Sequence, residues 1–175
     1  MKHVWILGPL ICLACDDSGG GGGSGVRGSI LLSDVTKAQA RAICSTLVTY
    51  DYDKYPVRAS CTEEAVYETE DATECKAYVD VCVEEQTRNF EADRQEDLED
   101  CEEKSDQDDL QDLPTNCDYT VAQYEQCNRE SIDAYVNALR KASCLDAGEF
   151  KDDEDYLESD ELSEACQELF AACDL

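Results

Sequence analysis

Twelve cysteines are the residues of this 175-residue sequence whose type and spacing point most directly to chemistry. So many thiols serve metal binding, redox catalysis or disulfide formation. A zinc site needs two close cysteine pairs or histidines at fixed spacing. This sequence has one close pair, Cys12 and Cys15, and one histidine, His3, in a segment that we expect to be removed. We therefore predict disulfides in an oxidising compartment, with no metal site and no cofactor.

The start of the chain has the layout of an export signal. Lys2 precedes an apolar stretch over residues 4–13, and the small residue Ala14 follows that stretch. The apolar stretch is too short to cross a bilayer as a helix. We therefore predict a signal peptide over residues 1–14.

The residues Cys12-Leu13-Ala14-Cys15 resemble a bacterial lipobox, whose last cysteine is acylated and becomes the new N-terminus. Cys12 stands where that motif has an aliphatic residue, and a plain secretory peptidase would cut the same bond. The number of cysteines left after cleavage favours a lipidated Cys15 over cleavage by a plain secretory peptidase. If Cys12 leaves and Cys15 is acylated, the remaining ten cysteines can all pair, whereas eleven would leave one free thiol. We predict that Cys15 is lipidated and holds the protein at a membrane.

A glycine-rich stretch follows the predicted cleavage site. Residues 15–28 contain Cys15, five consecutive glycines and two serines. A flexible coil over residues 16–28 would reach about 20 Å. We therefore predict a tether here, followed by a cysteine-rich acidic domain over residues 29–175.

Glycine and proline become scarce after the tether, which predicts an all-helical domain. Beyond residue 28 there are one glycine, Gly148, and two prolines, Pro56 and Pro114. Thr-x-x-Gln capping boxes begin at Thr36 and at Thr120 and mark two helix starts.

Apolar periodicity predicts four clear helices, over about residues 36–50, 71–87, from 120 onward and 160–173. The acidic region 90–113 is predicted to be helical in its first part and to fray before Pro114. The expected core positions are Ile43, Leu47, Tyr78, Val79, Val121, Tyr124, Ile132, Tyr135, Val136, Leu139, Leu162, Leu169 and Phe170.

The cysteine spacing repeats between the two halves of the domain. The spacing is 17 residues from Cys44 to Cys61 and from Cys127 to Cys144, and seven from Cys75 to Cys82 and from Cys166 to Cys173. This predicts two helical hairpins of duplicated origin, over about residues 36–87 and 120–175.

An antiparallel hairpin brings its innermost cysteines together and pairs the outer ones further from the turn. On this reasoning the predicted disulfides are Cys61 with Cys75, Cys44 with Cys82, Cys144 with Cys166, Cys127 with Cys173, and Cys101 with Cys117 across the acidic connection.

The charge of the chain restricts its partners. There are 42 acidic and 14 basic residues, and the net charge is −28. Such a chain repels nucleic acid and other polyanions. We expect it to bind no nucleic acid and to favour a cationic envelope protein or surface, in a salt-sensitive manner.

Acidic clusters raise calcium as an alternative ligand, because hard cations bind carboxylate oxygens. The clusters lack the glycine and the glutamate register of an EF-hand, so only loose, low-affinity binding is expected. Their residues are Asp106, Asp108, Asp109 and Asp112, and then Asp152, Asp153, Glu154, Asp155, Glu158 and Asp160.

An enzyme is the least favoured class. The mature chain would lack histidine, which excludes histidine-activated nucleophiles, and no GxSxG, P-loop or GxGxxG motif is present. We predict no catalytic residue.

The stretches NCDYTVAQYEQC (116–127) and ACQELFAAC (165–173), with the Ala-Ser-Cys at residues 142–144, resemble uncharacterised cysteine-rich lipoproteins of myxobacterial type. The resemblance also covers the signal and the tether. It implies a lipid-anchored envelope protein with a disulfide-bonded helical domain, and it implies no activity. The expected role is binding or structural, at the outer membrane or cell surface.

Overall fold

The fold consists of helices. The computed structural model describes residues 23–103, 118–148 and 161–173. Its five α-helices there are α1 (Lys37–Lys54), α2 (Val57–Glu68), α3 (Ala72–Glu103), α4 (Val121–Leu139) and α5 (Glu164–Ala172). The extended backbone in these ranges pairs at one isolated bridge, between Leu31 and Thr120. None of the five helices is both long and apolar enough to span a bilayer. The prediction of an all-helical, disulfide-stapled domain is confirmed.

Both predicted capping boxes are present. The Thr36 hydroxyl accepts a hydrogen bond from the Gln39 backbone N–H, and the Gln39 side chain accepts one from the Thr36 N–H. Thr120 and Gln123 form the same pair of bonds at the start of α4. Two of the first N–H groups of each helix, which lack partners within the helix, are thereby satisfied.

The longest helix, α3, extends past the predicted end near residue 87. It continues to Glu103 because no glycine or proline interrupts it and because side chains four residues apart interact along it. Arg88 forms an ion pair with Glu84 at 3.0 Å. The predicted acidic helix near Phe90 is thus the second half of α3.

Helix α2 was not among the predicted helices. It begins after Pro56, and its Cys61, Ala65 and Val66 are fully buried. Only these few positions carry the apolar pattern, so its signal in the sequence is weak. The first half of the domain therefore contains three helices rather than one hairpin of two.

The buried side chains form two clusters. One lies between α1, α4 and α5 and contains Ile43, Val121 and Leu169. The other lies between α2 and α3 and contains Val66 and Val79, with Cys144 packed against it. A 3-10 turn over Cys144–Asp146 lies between α4 and α5 in the chain and contacts α2 and α3.

The last part of the predicted tether is packed against the domain. The backbone N–H groups of Val121 and Ala122 donate to the carbonyls of Ile30 and Gly28, at 2.9 and 3.1 Å. The Ser24 N–H donates to Glu125 at 3.2 Å. Residues 23–28 therefore belong to the folded unit, which corrects the predicted tether boundary at residue 28; residues 15–22 lie outside the described part.

The predicted disulfide pairing is wrong. The observed bonds join Cys44 to Cys101, Cys61 to Cys82, Cys75 to Cys144 and Cys127 to Cys166. Cys173 is disulfide-bonded as well, whereas Cys117 lies outside the described residues. These bonds contradict all five predicted pairs: Cys61 with Cys75, Cys44 with Cys82, Cys144 with Cys166, Cys127 with Cys173, and Cys101 with Cys117.

The intervening helix α2 explains the error in the first half. Cys61 lies about two turns before the α2–α3 loop, whereas Cys75 lies in the first turn after it, so Cys61 meets Cys82 instead. The long α3 then returns along α1 and brings Cys101 to Cys44.

Cys75 has no disulfide partner in the first half of the domain. It is bonded to Cys144 of the second half, 69 residues later in the chain. In the second half, Cys127 of α4 meets Cys166 of α5. The spacing repeat is thus not reproduced in the bonding pattern.

Candidate functional site

A groove lies between the C-terminal end of α1 and the middle of α3. Its volume is about 340 Å³. Three carboxylates, three aromatic rings and one amide line it, from Asp51, Asp93, Asp97, Tyr52, Tyr55, Phe90 and Gln86. We call it the acidic–aromatic groove. Helical spacing places its α3 residues on one face, because positions 86, 90, 93 and 97 follow the i, i+4, i+7, i+11 pattern.

The aromatic wall of the groove is held by ring contacts between α1 and α3. The Tyr52 ring meets Phe90 edge-on, with centroids 5.0 Å apart, and Tyr55 lies 6.4 Å from Phe90. The Tyr55 hydroxyl is hydrogen-bonded to the Ser60 hydroxyl at 2.6 Å, which fixes that ring to the start of α2. All three rings are half-buried, so each is also available to a ligand.

The carboxylates of the groove repel one another. Burial and then the nearby charge of Asp97 raise the pKa of Asp51 above its ordinary value. Asp97 accepts a hydrogen bond of 2.7 Å from the Tyr52 hydroxyl. Burial and then this hydrogen bond raise the pKa of Tyr52, so Tyr52 stays a donor at neutral pH. Negative charge is therefore concentrated beside the rings.

No basic side chain of the described residues neutralises Asp51, Asp93 or Asp97 by an ion pair. The nearest pair, Arg94 with Asp53 at 4.0 Å, involves an aspartate outside the groove lining. Carboxylates beside aromatic faces suit a cation with an apolar body, such as an arginine or lysine side chain. The groove thus has the chemistry of a cation site whose cation the described chain does not supply.

The opposite flank of α1 also combines a tyrosine ring with a carboxylate, but there basic side chains of the chain itself already contact them. The Tyr50 hydroxyl donates to Asp133 of α4 at 2.8 Å, and Lys54 lies 3.7 Å from Asp133. The Arg129 guanidinium lies over the Tyr50 ring, 5.0 Å from its centroid. This cluster joins α1 to α4 and needs no ligand.

The groove lies far from the point where the N-terminal segment packs. That segment ends at a 3-10 turn, Leu32–Asp34, directly before the start of α1. Since a helix rises about 1.5 Å per residue, Asp51 lies about 22 Å along α1 from Thr36. The groove and the entering chain are therefore at opposite ends of α1.

Several expected core residues have the predicted burial. Ile43, Val79, Val121, Tyr124, Val136, Leu139 and Leu169 are buried, and Leu47, Tyr78, Ile132, Leu162 and Phe170 are partly buried. Tyr135, however, is 48% exposed, because it projects from α4 between the buried positions 134 and 136. Its assignment to the core is wrong.

The other predicted sites fall mostly outside the described residues. Cys15 does so, and so do both acidic clusters proposed for calcium, over residues 106–112 and 152–160. Within residues 23–103, 118–148 and 161–173, no group of three metal-binding side chains is arranged to hold an ion.

The groove is not predicted from the sequence, although a local signal for it exists. Residues 50–55 read YDYDKY, which places acids and tyrosines together at the end of α1. Phe90, Asp93 and Asp97 share a face of α3, but only the tertiary fold shows that this face meets α1.

Comparisons with known proteins add no assignment. No protein-family profile matches this chain, and neither a curated protein nor a solved structure matches it.

Proposed function

We propose that this chain is an exported protein, lipid-anchored through Cys15, whose disulfide-stapled domain binds a basic partner in the acidic–aromatic groove. It acts at the outer membrane or cell surface as a binding module. The resemblance to myxobacterial-type lipoproteins supports the anchoring.

The observation that carries the binding role is the composition of the groove. Asp51, Asp93 and Asp97 stand beside Tyr52 and Phe90 with no basic side chain of the described residues paired to them. A guanidinium or ammonium group placed there gains both carboxylate contacts and a ring face, each worth about 0.5–1 kcal/mol at an exposed site.

The position of the groove supports presentation to a partner. The chain enters at the N-terminal ends of α1 and α4, and the groove lies about 22 Å away along α1. A domain held at a membrane by its N-terminus would direct the groove away from that surface. The disulfides support an oxidising location outside the cytosol.

The binding role is tested by titrating the domain with acetyl-arginine amide and following backbone NMR shifts. We expect saturable shifts at Tyr52, Tyr55 and Phe90. D93N/D97N should weaken binding several-fold, because two groove charges are lost. The matched control E91Q/E96Q removes two exposed charges from the same helix and should weaken it less than about twofold at physiological salt. Equal weakening by both variants would mean that only the net charge attracts the ligand.

The anchoring is tested separately by mass spectrometry of the mature protein isolated from membranes. We expect a chain that begins at Cys15 and carries acyl groups, and we expect C15S to remain in the soluble exported fraction. An unmodified chain that begins at Cys15 would instead indicate cleavage by a plain secretory peptidase.

A further inference from the structure

We infer that the partner is an extended protein segment with two basic side chains, which crosses α3 and places its second basic group in a hollow beside the acidic–aromatic groove. This inference rests on the proposed function and specifies the ligand of the same surface.

The second hollow lies on the neighbouring face of α3. Its volume is about 450 Å³, and its lining includes Glu64, Tyr78, Val81 and Glu85. It has the same ingredients as the groove, namely carboxylates, a tyrosine ring and apolar surface. Val81 is 66% exposed, which offers apolar area to the methylene stem of a lysine or arginine.

Charge is fixed in this hollow as well. The Tyr78 hydroxyl donates a hydrogen bond of 2.5 Å to Glu64, and that bond, with burial second, raises the pKa of Tyr78 to about 12. The hydrogen bond thus fixes the position of the Glu64 side chain. Glu85 is exposed on the same wall and forms no ion pair among the described residues.

The two cavities are adjacent, because Gln86 and Asp93 line both of them. These two residues are seven apart on α3, so they form one ridge along the helix. A ligand in the acidic–aromatic groove therefore needs to cross only this ridge to reach the second hollow. A single small cation cannot contact both cavities, whereas an extended chain can.

The width of the ridge sets the spacing of the basic groups. A helix with its side chains is about 10 Å across, and an extended chain advances about 3.3 Å per residue. The two cavities lie on neighbouring faces of α3, so they are separated by less than this diameter. The two basic residues are therefore expected two positions apart, about 7 Å from each other on the same side of the extended chain. Adjacent basic residues would point to opposite sides of an extended chain and could not fill both cavities.

The test compares three glycine- and serine-based peptides of equal length, which do not favour a helix, by calorimetry at about 150 mM salt. One carries a single arginine, one carries two at positions i and i+2, and one carries two adjacent arginines. The i, i+2 peptide should bind about tenfold or more tightly than the single-arginine peptide, and the adjacent pair only about twofold more tightly. Equal affinity of the two dibasic peptides would overturn the inference.

Variants assign the gain to the second hollow. E85Q should remove most of the advantage of the i, i+2 peptide and leave the single-arginine peptide unaffected, whereas the matched control E91Q should change neither. If E85Q and E91Q have the same effect, the second hollow is not a contact. A small quaternary ammonium compound that binds as tightly as the i, i+2 peptide would also overturn the inference.

The two proposals fail differently. If the single-arginine peptide does not bind, or binds without dependence on Asp93 and Asp97, the proposed function fails. If it binds as expected but a second arginine adds nothing at any spacing, only the inference of a dibasic segment fails.

Discussion

The Tyr52 hydroxyl donates a hydrogen bond of 2.7 Å to Asp97, which joins the end of α1 to the C-terminal part of α3 within the acidic–aromatic groove. The same tyrosine contributes its ring, which meets Phe90 edge-on. One residue thus serves the stability of the groove through its hydroxyl and its ligand chemistry through its ring.

Two substitutions of Tyr52 separate these roles. Y52F removes the hydroxyl and should lower the free energy of unfolding by about 0.5–1.5 kcal/mol, with arginine affinity unchanged within about twofold. Y52L also removes the ring and should weaken arginine binding several-fold, because the cation–π contact is lost. Chemical denaturation and titration of both variants measure this. If Y52F and Y52L weaken binding equally, the ring is not a ligand contact.

Acidification should stabilise the domain over part of the acidic range. Burial raises the pKa of Asp51 above its ordinary value of 3.8, and burial and then Glu64 raise that of Glu63 above 4.5. A carboxyl with a raised folded-state pKa contributes stability that is fully present below its unfolded value and is lost as the pH rises through the folded value. We therefore expect these two groups to favour folding increasingly as the pH falls from 7 towards 4.

Asp71 acts in the opposite direction. The backbone N–H groups of Glu74 and then Thr73 donate to its carboxylate and lower its pKa. Its contribution is present above its unfolded value and is lost as the pH falls through the lowered folded value. The stabilising effect of acid should consequently reverse at the lowest pH.

This pH dependence of stability is measured by denaturation midpoints at pH values from about 3 to about 8. D51N should be more stable than the natural chain at pH 7, and the difference should shrink towards pH 4, because the amide mimics the protonated acid. The affinity for arginine should change in the opposite direction. It should fall as the pH falls, because Asp51 loses its negative charge. A difference between D51N and the natural chain that is independent of pH would contradict the argument.

Local signals predicted much of the fold. The Thr36 and Thr120 capping boxes are set by residues three apart, and the scarcity of glycine and proline predicts helices without any knowledge of packing. Burial of Ile43 and Leu139 follows from helical periodicity. Such features depend on residues that are close in sequence, so they can be predicted without knowledge of the tertiary fold.

The disulfides and the groove depend on contacts between distant segments. Helix α2 explains the wrong pairs of the first half, and the bond from Cys75 to Cys144 between the halves excludes the pair predicted for Cys144 in the second. The groove joins Tyr52 to Asp97, which are 45 residues apart. No periodicity within either helix specifies that α3 returns along α1.

The disulfide between Cys75 and Cys144 should stabilise the domain more than the disulfide between Cys61 and Cys82. It closes 69 residues, against 21 for Cys61 and Cys82. In the chain-entropy treatment the longer loop is worth about 4 kcal/mol and the shorter about 3 kcal/mol. We expect C75S/C144S to lose about 1 kcal/mol more than C61S/C82S in denaturant titrations. Equal losses would show that the entropy of the unfolded chain does not set the difference.

The packing of the N-terminal segment depends on Gly28. A Cβ at this position would lie 2.8 Å from the Ala122 Cβ, whereas a Cβ at Gly23 would lie 3.4 Å from a Glu125 carboxylate oxygen, an ordinary contact. G28A should therefore destabilise the segment by about 1–3 kcal/mol, and the control G23A should have little effect.

Amide hydrogen exchange at Val121 and Ala122 measures this loss, because both N–H groups donate to the segment at 2.9 and 3.1 Å. Exchange there should accelerate in G28A and remain unchanged at Val79, which lies in the other buried cluster. Adding A122G removes the opposing methyl group and should restore slow exchange, beyond the sum of the two single changes. If G28A/A122G exchanges as fast as G28A, the clash with Ala122 is not the cause. The contact would then have to be weakened through the backbone of the segment itself.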